Sequence, residues 1–150
     1  MPSTYTNLLY HIVFSTKQRI PLINNEFQEE LYRYSGGIIR AEGGVQLEIG
    51  GMSDHLHILG KFKPAISVSE MLAKIKANSS KWVNDHKIKF RKFGWQEGYA
   101  AFTVSESQAP AVAEYIRNQE EHHRKQTYQE EFLALLDRHG IEYDPRYLWD

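Results

Sequence analysis

The run Met52-Ser53-Asp54-His55-Leu56-His57-Ile58-Leu59 alternates imidazoles with aliphatic side chains. Successive side chains of an extended chain point to opposite faces, so His55 and His57 project from one face of a strand while Leu56 and Ile58 anchor the other in a core. Two convergent neutral imidazoles begin a divalent-metal site. Before them, Val45, Leu47 and Ile49 alternate in the same way, and Gly50-Gly51 supplies a turn region, so 45–59 is predicted as an antiparallel hairpin carrying the metal site at its edge.

The first segment, Tyr5 to Ser15, sets Leu8, Tyr10, Ile12 and Phe14 against Leu9, His11 and Val13, a strand buried on both faces or nearly so. A helix capped by Asn24 or Asn25 runs to about Glu42 with Phe27, Leu31, Ile38 and Ala41 as its stripe. Gly36-Gly37 inside it signals close packing or a kink. Ser67 and Glu70 form a capping box for a second helix to about His86. Lys87 to Trp95 reads as a loop or irregular strand, Tyr99 to Val104 as a strand, and Ser107 as the cap of a third helix. A last helix spans about Glu130 to Arg138 and stops at Gly140, followed by an aromatic tail, Tyr143 to Trp149. Strand, helix, strand, strand, helix, strand is the split βαβ order of an α+β, ferredoxin-like antiparallel sheet, with the first strand and the histidine strand at its centre.

At 150 residues, 1–150 is expected to be a single domain. No cysteine is present, which excludes thiolate sites and leaves His, carboxylate, amide or water to hold a metal. No apolar run approaches a membrane span, and the chain is expected to be soluble and cytoplasmic. The net charge of −1 hides an asymmetry. Bases crowd Lys61 to Lys92 against only Glu70 and Asp85, while acids dominate Glu106 to Asp144, the pattern of a local anion-binding surface. Lys74, Lys81, Arg91 and Trp95 are the candidate DNA contacts.

On the third helix, Tyr115, Gln119 and His122 fall along one stripe, aligning a phenol, an amide oxygen and an imidazole. Together with Tyr10 to Lys17, His55-Leu56-His57, Gly94-Trp95-Gln96-Glu97-Gly98-Tyr99 and Tyr115 to His123, this resembles the single-tyrosine transposases of the insertion sequence 200/605 type, within the His-hydrophobic-His (HUH) nuclease superfamily. The likeness spans essentially the whole chain. It implies an HUH-endonuclease fold and a divalent metal, Mg²⁺ or Mn²⁺, held by His55, His57 and Gln119. It further implies Tyr115 as nucleophile on hairpin-bearing single-stranded DNA, a 5′-phosphotyrosine intermediate, and a homodimer with shared sites in a bacterial or archaeal nucleoid. No nucleotide cofactor is expected, since no Gly-x-x-x-x-Gly-Lys loop occurs. His122 and His123 stand as alternatives to Gln119, and Tyr128 to Tyr115. A hairpin-binding protein without transposition and a hydrolase that does not use Tyr115 are the competing functions.

Overall fold

The computed structural model describes residues 3–89 and 91–149. Its elements are β1 (Leu8–Ser15), α1 (Gln28–Ala41), β2 (Val45–Met52), β3 (His55–Phe62), α2 (Val68–His86), β4 (Ala100–Val104), α3 (Ala109–Arg117), α4 (Gln119–His122) and α5 (Tyr128–Arg138). The four strands form one antiparallel sheet in the order β2-β3-β1-β4, the ferredoxin-like arrangement. The histidine strand lies inside the sheet beside β1, as their order in the sequence implies, with Val13 opposite His57 and Ser15 opposite His55.

Alternation along β1 and β3 divides the molecule. Ile12, Phe14, Leu56 and Ile58 face α1 and α2 and pack with Leu31, Ile39, Met71, Leu72 and Ile75. Each such side chain contributes about 1.5–3 kcal/mol on full burial, so this layer fixes the sheet from one side. On the other side a smaller cluster joins Val13, Ala100 and Phe102 to Phe132, Leu135 and Leu136 of α5. The histidines share that second face.

Several boundaries differ from the sequence expectation. Asn24 Oδ1 accepts from the amides of Glu26 and Phe27, capping a turn that leads into α1 at Gln28. α1 runs through Gly36 and Gly37 as one helix; a Cβ on Gly36 would stand 2.9 Å from Gln46 Oε1, the end of a side chain that can move aside. β2 also continues through Gly50 and Gly51, and the turn falls at Ser53-Asp54. The reason is steric: a Cβ on Gly50 would lie 2.4 Å from the Ile116 carbonyl oxygen, and one on Gly51 2.1 Å from that of His55. These two glycines admit neighbouring backbone to the strand.

Ser107 does not cap α3. It sits in a short 3₁₀ turn, Glu106–Gln108, after which α3 starts at Ala109 with Pro110 in its first turn, where a missing amide hydrogen costs nothing. The third helix is interrupted at Asn118, so Tyr115 lies on α3 and Gln119 and His122 on α4. α5 begins two residues earlier than expected because Thr127 and Glu130 close a reciprocal capping box. Phe90, in the expected loop 87–95, is outside the described residues.

Candidate active site

β3 delivers His55 and His57, both fully buried, to the face covered by α3, α4 and α5. α3 approaches β2 closely at Gly50, and α5 packs on Val13 of β1 and on Ala100 and Phe102 of β4. Side chains from four elements converge. Glu131 Oε1 of α5 lies 2.9 Å from His57 Nε2, 3.4 Å from His55 Nε2 and 3.1 Å from His123 Nε2. Gln119 Nε2 donates to Glu131 Oε2 at 2.8 Å, while its Oε1 faces His55 Nε2 at 2.9 Å and His123 Nε2 at 3.0 Å. The Tyr115 hydroxyl donates to Glu131 Oε2, and its ring lies 4.6 Å from that of His122.

The hydrogen bonds on the far side of each ring show what the near side requires. His55 Nδ1 is 2.7 Å from the Asp54 carboxylate, which can only accept, so Nδ1 carries a hydrogen. His123 Nδ1 likewise donates to the Gln126 carbonyl at 2.8 Å. In a neutral ring each Nε2 is then a bare lone pair, yet each points at two oxygens. A positive species must stand between them, either a proton on Nε2 or a metal ion. Ligand atoms about 2.1 Å from an ion sit roughly 3.0 Å apart in cis positions, close to the spacings found here. His55, His57 and Glu131 offer donor atoms within 4.8 Å of one another, and Asp54 behind His55 is the outer-shell carboxylate that metal-binding imidazoles ordinarily have. The donor set fits a divalent cation.

The electrostatics agree. Burial opposes charge on His55, but Asp54, Glu131 and Gln119 outweigh it and lift its pKa to about 9. Burial lowers the pKa of His57 despite the pull of Glu131, and drives that of His11 down to about 3, with His57 adding to the effect. Burial alone would raise the Glu131 carboxyl; hydrogen bonds from His123, His55 and His57 hold it well below the carboxylate range. Burial and the Glu131 charge push the Tyr115 phenol upward. Tyr128 is also raised by burial, and it stacks on His55 at 4.4 Å as part of the apolar packing.

The structure thus brings His55, His57, Gln119 and Tyr115 together. The expected DNA contacts lie elsewhere. α2 covers the opposite face of the sheet, where Lys74 pairs with Glu42 at 3.1 Å and Lys81 with Asp85 at 2.7 Å. Arg91 is exposed. Trp95 must be corrected: it is 8% exposed, packs edge-on against Phe14 and Phe93, and donates its indole N–H to Ser79, so no ring face is free for a base. Sequence reasoning missed Asp54, Glu131 and His11 as members of the site. Asp54 had the one usable signal, a carboxylate immediately before the histidine pair. Glu131 is one acid among several in α5, and only the fold shows that it points inward.

The chain matches the family described as "Transposase IS200 like" over residues 4–119, a span that includes both strand histidines, Tyr115 and Gln119 and ends before Glu131. Transposases for insertion sequence element IS200 from Salmonella typhimurium and Salmonella typhi are each 33% identical to it over 125 residues, 77% of this chain and 79% of theirs. The fold is similar to that of a Deinococcus radiodurans R1 protein assigned as a transposase (TM-score 0.62, 22% identity, 79% of this chain and 95% of that one). It is also similar to a REP-associated tyrosine transposase solved with a REP hairpin (TM-score 0.60, 12% identity, 82% and 73%). With its histidine pair, tyrosine and glutamine gathered on one face of a four-stranded antiparallel sheet, the chain belongs to the IS200-like transposase family.

Proposed function

We propose that this transposase is one catalytic domain that cleaves and rejoins single-stranded DNA at hairpin-bearing ends, with Tyr115 as nucleophile. Mg²⁺ or Mn²⁺ would be held by His55, His57 and Gln119, with Glu131 as a further, anionic ligand. The observation that carries this reading is the convergence of bare imidazole nitrogens and two side-chain oxygens beside a phenol. The solved relative bound to a hairpin supports the choice of DNA.

When bound, the cation supplies Lewis-acid polarisation of the scissile phosphate and offsets the charge on Glu131. The chain's own residues do the rest. Asp54 fixes the tautomer and orientation of His55. Glu131 aims the Tyr115 oxygen through the hydrogen bond it accepts, and the proton the phenol loses balances the one gained by the departing 3′ oxygen. The tyrosine oxygen attacks phosphorus, the P–O3′ bond breaks, and the DNA is left with a free 3′ hydroxyl and a 5′-phosphotyrosine. The reverse attack by a 3′ hydroxyl rejoins strands without a nucleotide cofactor. We further propose a homodimer in which α3 of one subunit completes the histidine site of the other.

Incubating a labelled single-stranded end with Mg²⁺ tests the reaction. Wild-type protein should give a covalent adduct and Tyr115→Phe none, with binding retained. An adduct persisting in Tyr115→Phe would move the nucleophile elsewhere, and no adduct with wild type would leave a binder or a hydrolase. Mixing Tyr115→Phe with His55→Ala/His57→Ala protein should restore cleavage if sites are shared.

A further inference from the structure

His11 lies outside every role assigned above. It sits on β1, on the same sheet face as the histidine pair, and is 4% exposed. Its Nε2 is 2.8 Å from His57 Nδ1, and the two rings stack with centroids 5.1 Å apart. His57 is therefore held at both nitrogens, by His11 behind and Glu131 in front.

A neutral imidazole has one N–H. With the site free of metal, the 2.9 Å contact to Glu131 requires the hydrogen on His57 Nε2, and Nδ1 must then accept from His11. For His57 to coordinate a cation through Nε2, that nitrogen must be bare. The hydrogen then belongs on Nδ1, which must find an acceptor. The only partner within hydrogen-bond distance of Nδ1 among the described residues is His11 Nε2. Neither a purely donating nor a purely accepting side chain could serve both states; an imidazole serves both by changing tautomer.

The change needs an outlet on the far side of His11. Its ring forms part of the wall of a cavity bordered by Thr103, Val112, Tyr115, Arg138 and His139. Among the described residues the one buried side-chain N or O atom without a partner is Ser35 Oγ, so His11 Nδ1, which bonds no protein atom, is reached by water. Water there can give or take the second hydrogen.

We propose that His11 is a positioning residue that sets the tautomer of His57 and thereby prepares its Nε2 to bind a divalent cation. The inference rests on the metal-site reading above. It distinguishes His11 from a packing residue, because only hydrogen-bonding capacity, not ring volume, should matter.

The test is Mn²⁺ binding by calorimetry to wild type, His11→Phe and His11→Asn, with thermal unfolding of each metal-free protein as the folding control. Removing an outer-shell partner typically costs 10–100-fold in metal affinity, and His11→Phe should lose that much. His11→Asn, whose amide can both donate and accept, should recover a substantial part. In wild type, ¹⁵N NMR should show His57 Nδ1 changing from a bare to a hydrogen-bearing nitrogen as a diamagnetic Mg²⁺ titration proceeds. Wild-type affinity in His11→Phe, an equal loss in both variants, or a His57 Nδ1 signal that never changes would overturn the proposal. Failure of wild-type protein to bind either ion would instead overturn the metal site itself, and this inference with it.

Discussion

Glu131→Gln preserves shape and volume and removes one charge, so its effect can be worked from the contacts. Both carboxylate oxygens are engaged: Oε2 accepts from Tyr115 and Gln119, and Oε1 faces the imidazole edges of His55, His57 and His123. An amide nitrogen in the Oε2 position would face the Gln119 donor. In the Oε1 position it would face three rings, two of which have their other nitrogen committed to Asp54 and Gln126. Flipping Gln119 to relieve the first clash would turn its Oε1 away from His55 and His123. Breaking a buried charge pair costs about 3–5 kcal/mol, and a chain of this size loses roughly 2–4 °C of Tm per kcal/mol. The metal-free variant should therefore melt about 6–20 °C below wild type. Saturating Mn²⁺ at about 100 times its Kd stabilises a binding protein by about 2.7 kcal/mol. That increment should shrink sharply in Glu131→Gln. Differential scanning calorimetry at pH 7, with chelator and with Mn²⁺, measures both effects. A Tm within about 2 °C of wild type and an undiminished Mn²⁺ increment would refute Glu131 as anchor and ligand.

The metal-free protein should be most stable near pH 6.5. His55, whose pKa rises on folding to about 9, contributes stability that is complete below 6.5 and lost as pH climbs through 9, on the order of 3 kcal/mol. His11, depressed to about 3, contributes stability present above 6.5 and lost as pH falls. Chemical denaturation across pH 4–10 checks this, and a curve still rising between pH 7 and 9 would contradict the assignment; Mn²⁺ affinity should strengthen over that window as Nε2 is freed. Gly50→Ala should displace α3 by contact with Ile116, costing about 1–3 kcal/mol and lowering adduct formation by roughly 100-fold. Gly37→Ala, with only Arg40 at 3.7 Å, should be neutral or stabilising by up to about 1 kcal/mol, and equal behaviour of the two variants would remove the close-approach argument.

The sheet was legible because its signals are local and periodic: alternation marks β1 and β3, and their order implies their central position. The candidate residues His55, His57, Gln119 and Tyr115 were legible as spacings on a strand and a helix. The interruption at Asn118 escaped because the seven-residue stripe from Tyr115 to His122 fits a continuous helix, and the kinked chain still stacks those two rings. Glu131 and His11 escaped for a different reason. A lone acid in an amphipathic helix and a lone histidine in an apolar strand become meaningful only when a third element faces them, and sequence periodicity carries no information about which elements face each other. The same limit misplaced Trp95, whose aromatic and basic neighbours suggested a surface while Phe14, Phe93 and Ser79 close around it.

The two halves of the site are anchored by different forces, and this bears on how Tyr115 could be exchanged between subunits. The histidine pair belongs to an interior strand hydrogen-bonded on both sides and backed by the large cluster. α3 and α4 contribute no side chain to either apolar cluster, although Ile116 is fully buried against β2 at Gly50. Tyr115 and Gln119 are tied to the rest of the site by polar contacts, their hydrogen bonds to Glu131 and those of Gln119 Oε1 with His55 and His123. A net hydrogen bond to a charged group contributes about 1.5–3 kcal/mol, comparable with the burial of one aliphatic side chain such as Ile116. The same bonds can be made by an identical tyrosine and glutamine from a second copy, so docking α3 in trans would exchange equivalent contacts and leave α5, which carries Glu131 in the smaller apolar cluster, in place. In the proposed shared-site dimer, Tyr115 and Gln119, held by polar bonds, would change partners while the histidine pair and Glu131 stay with the core.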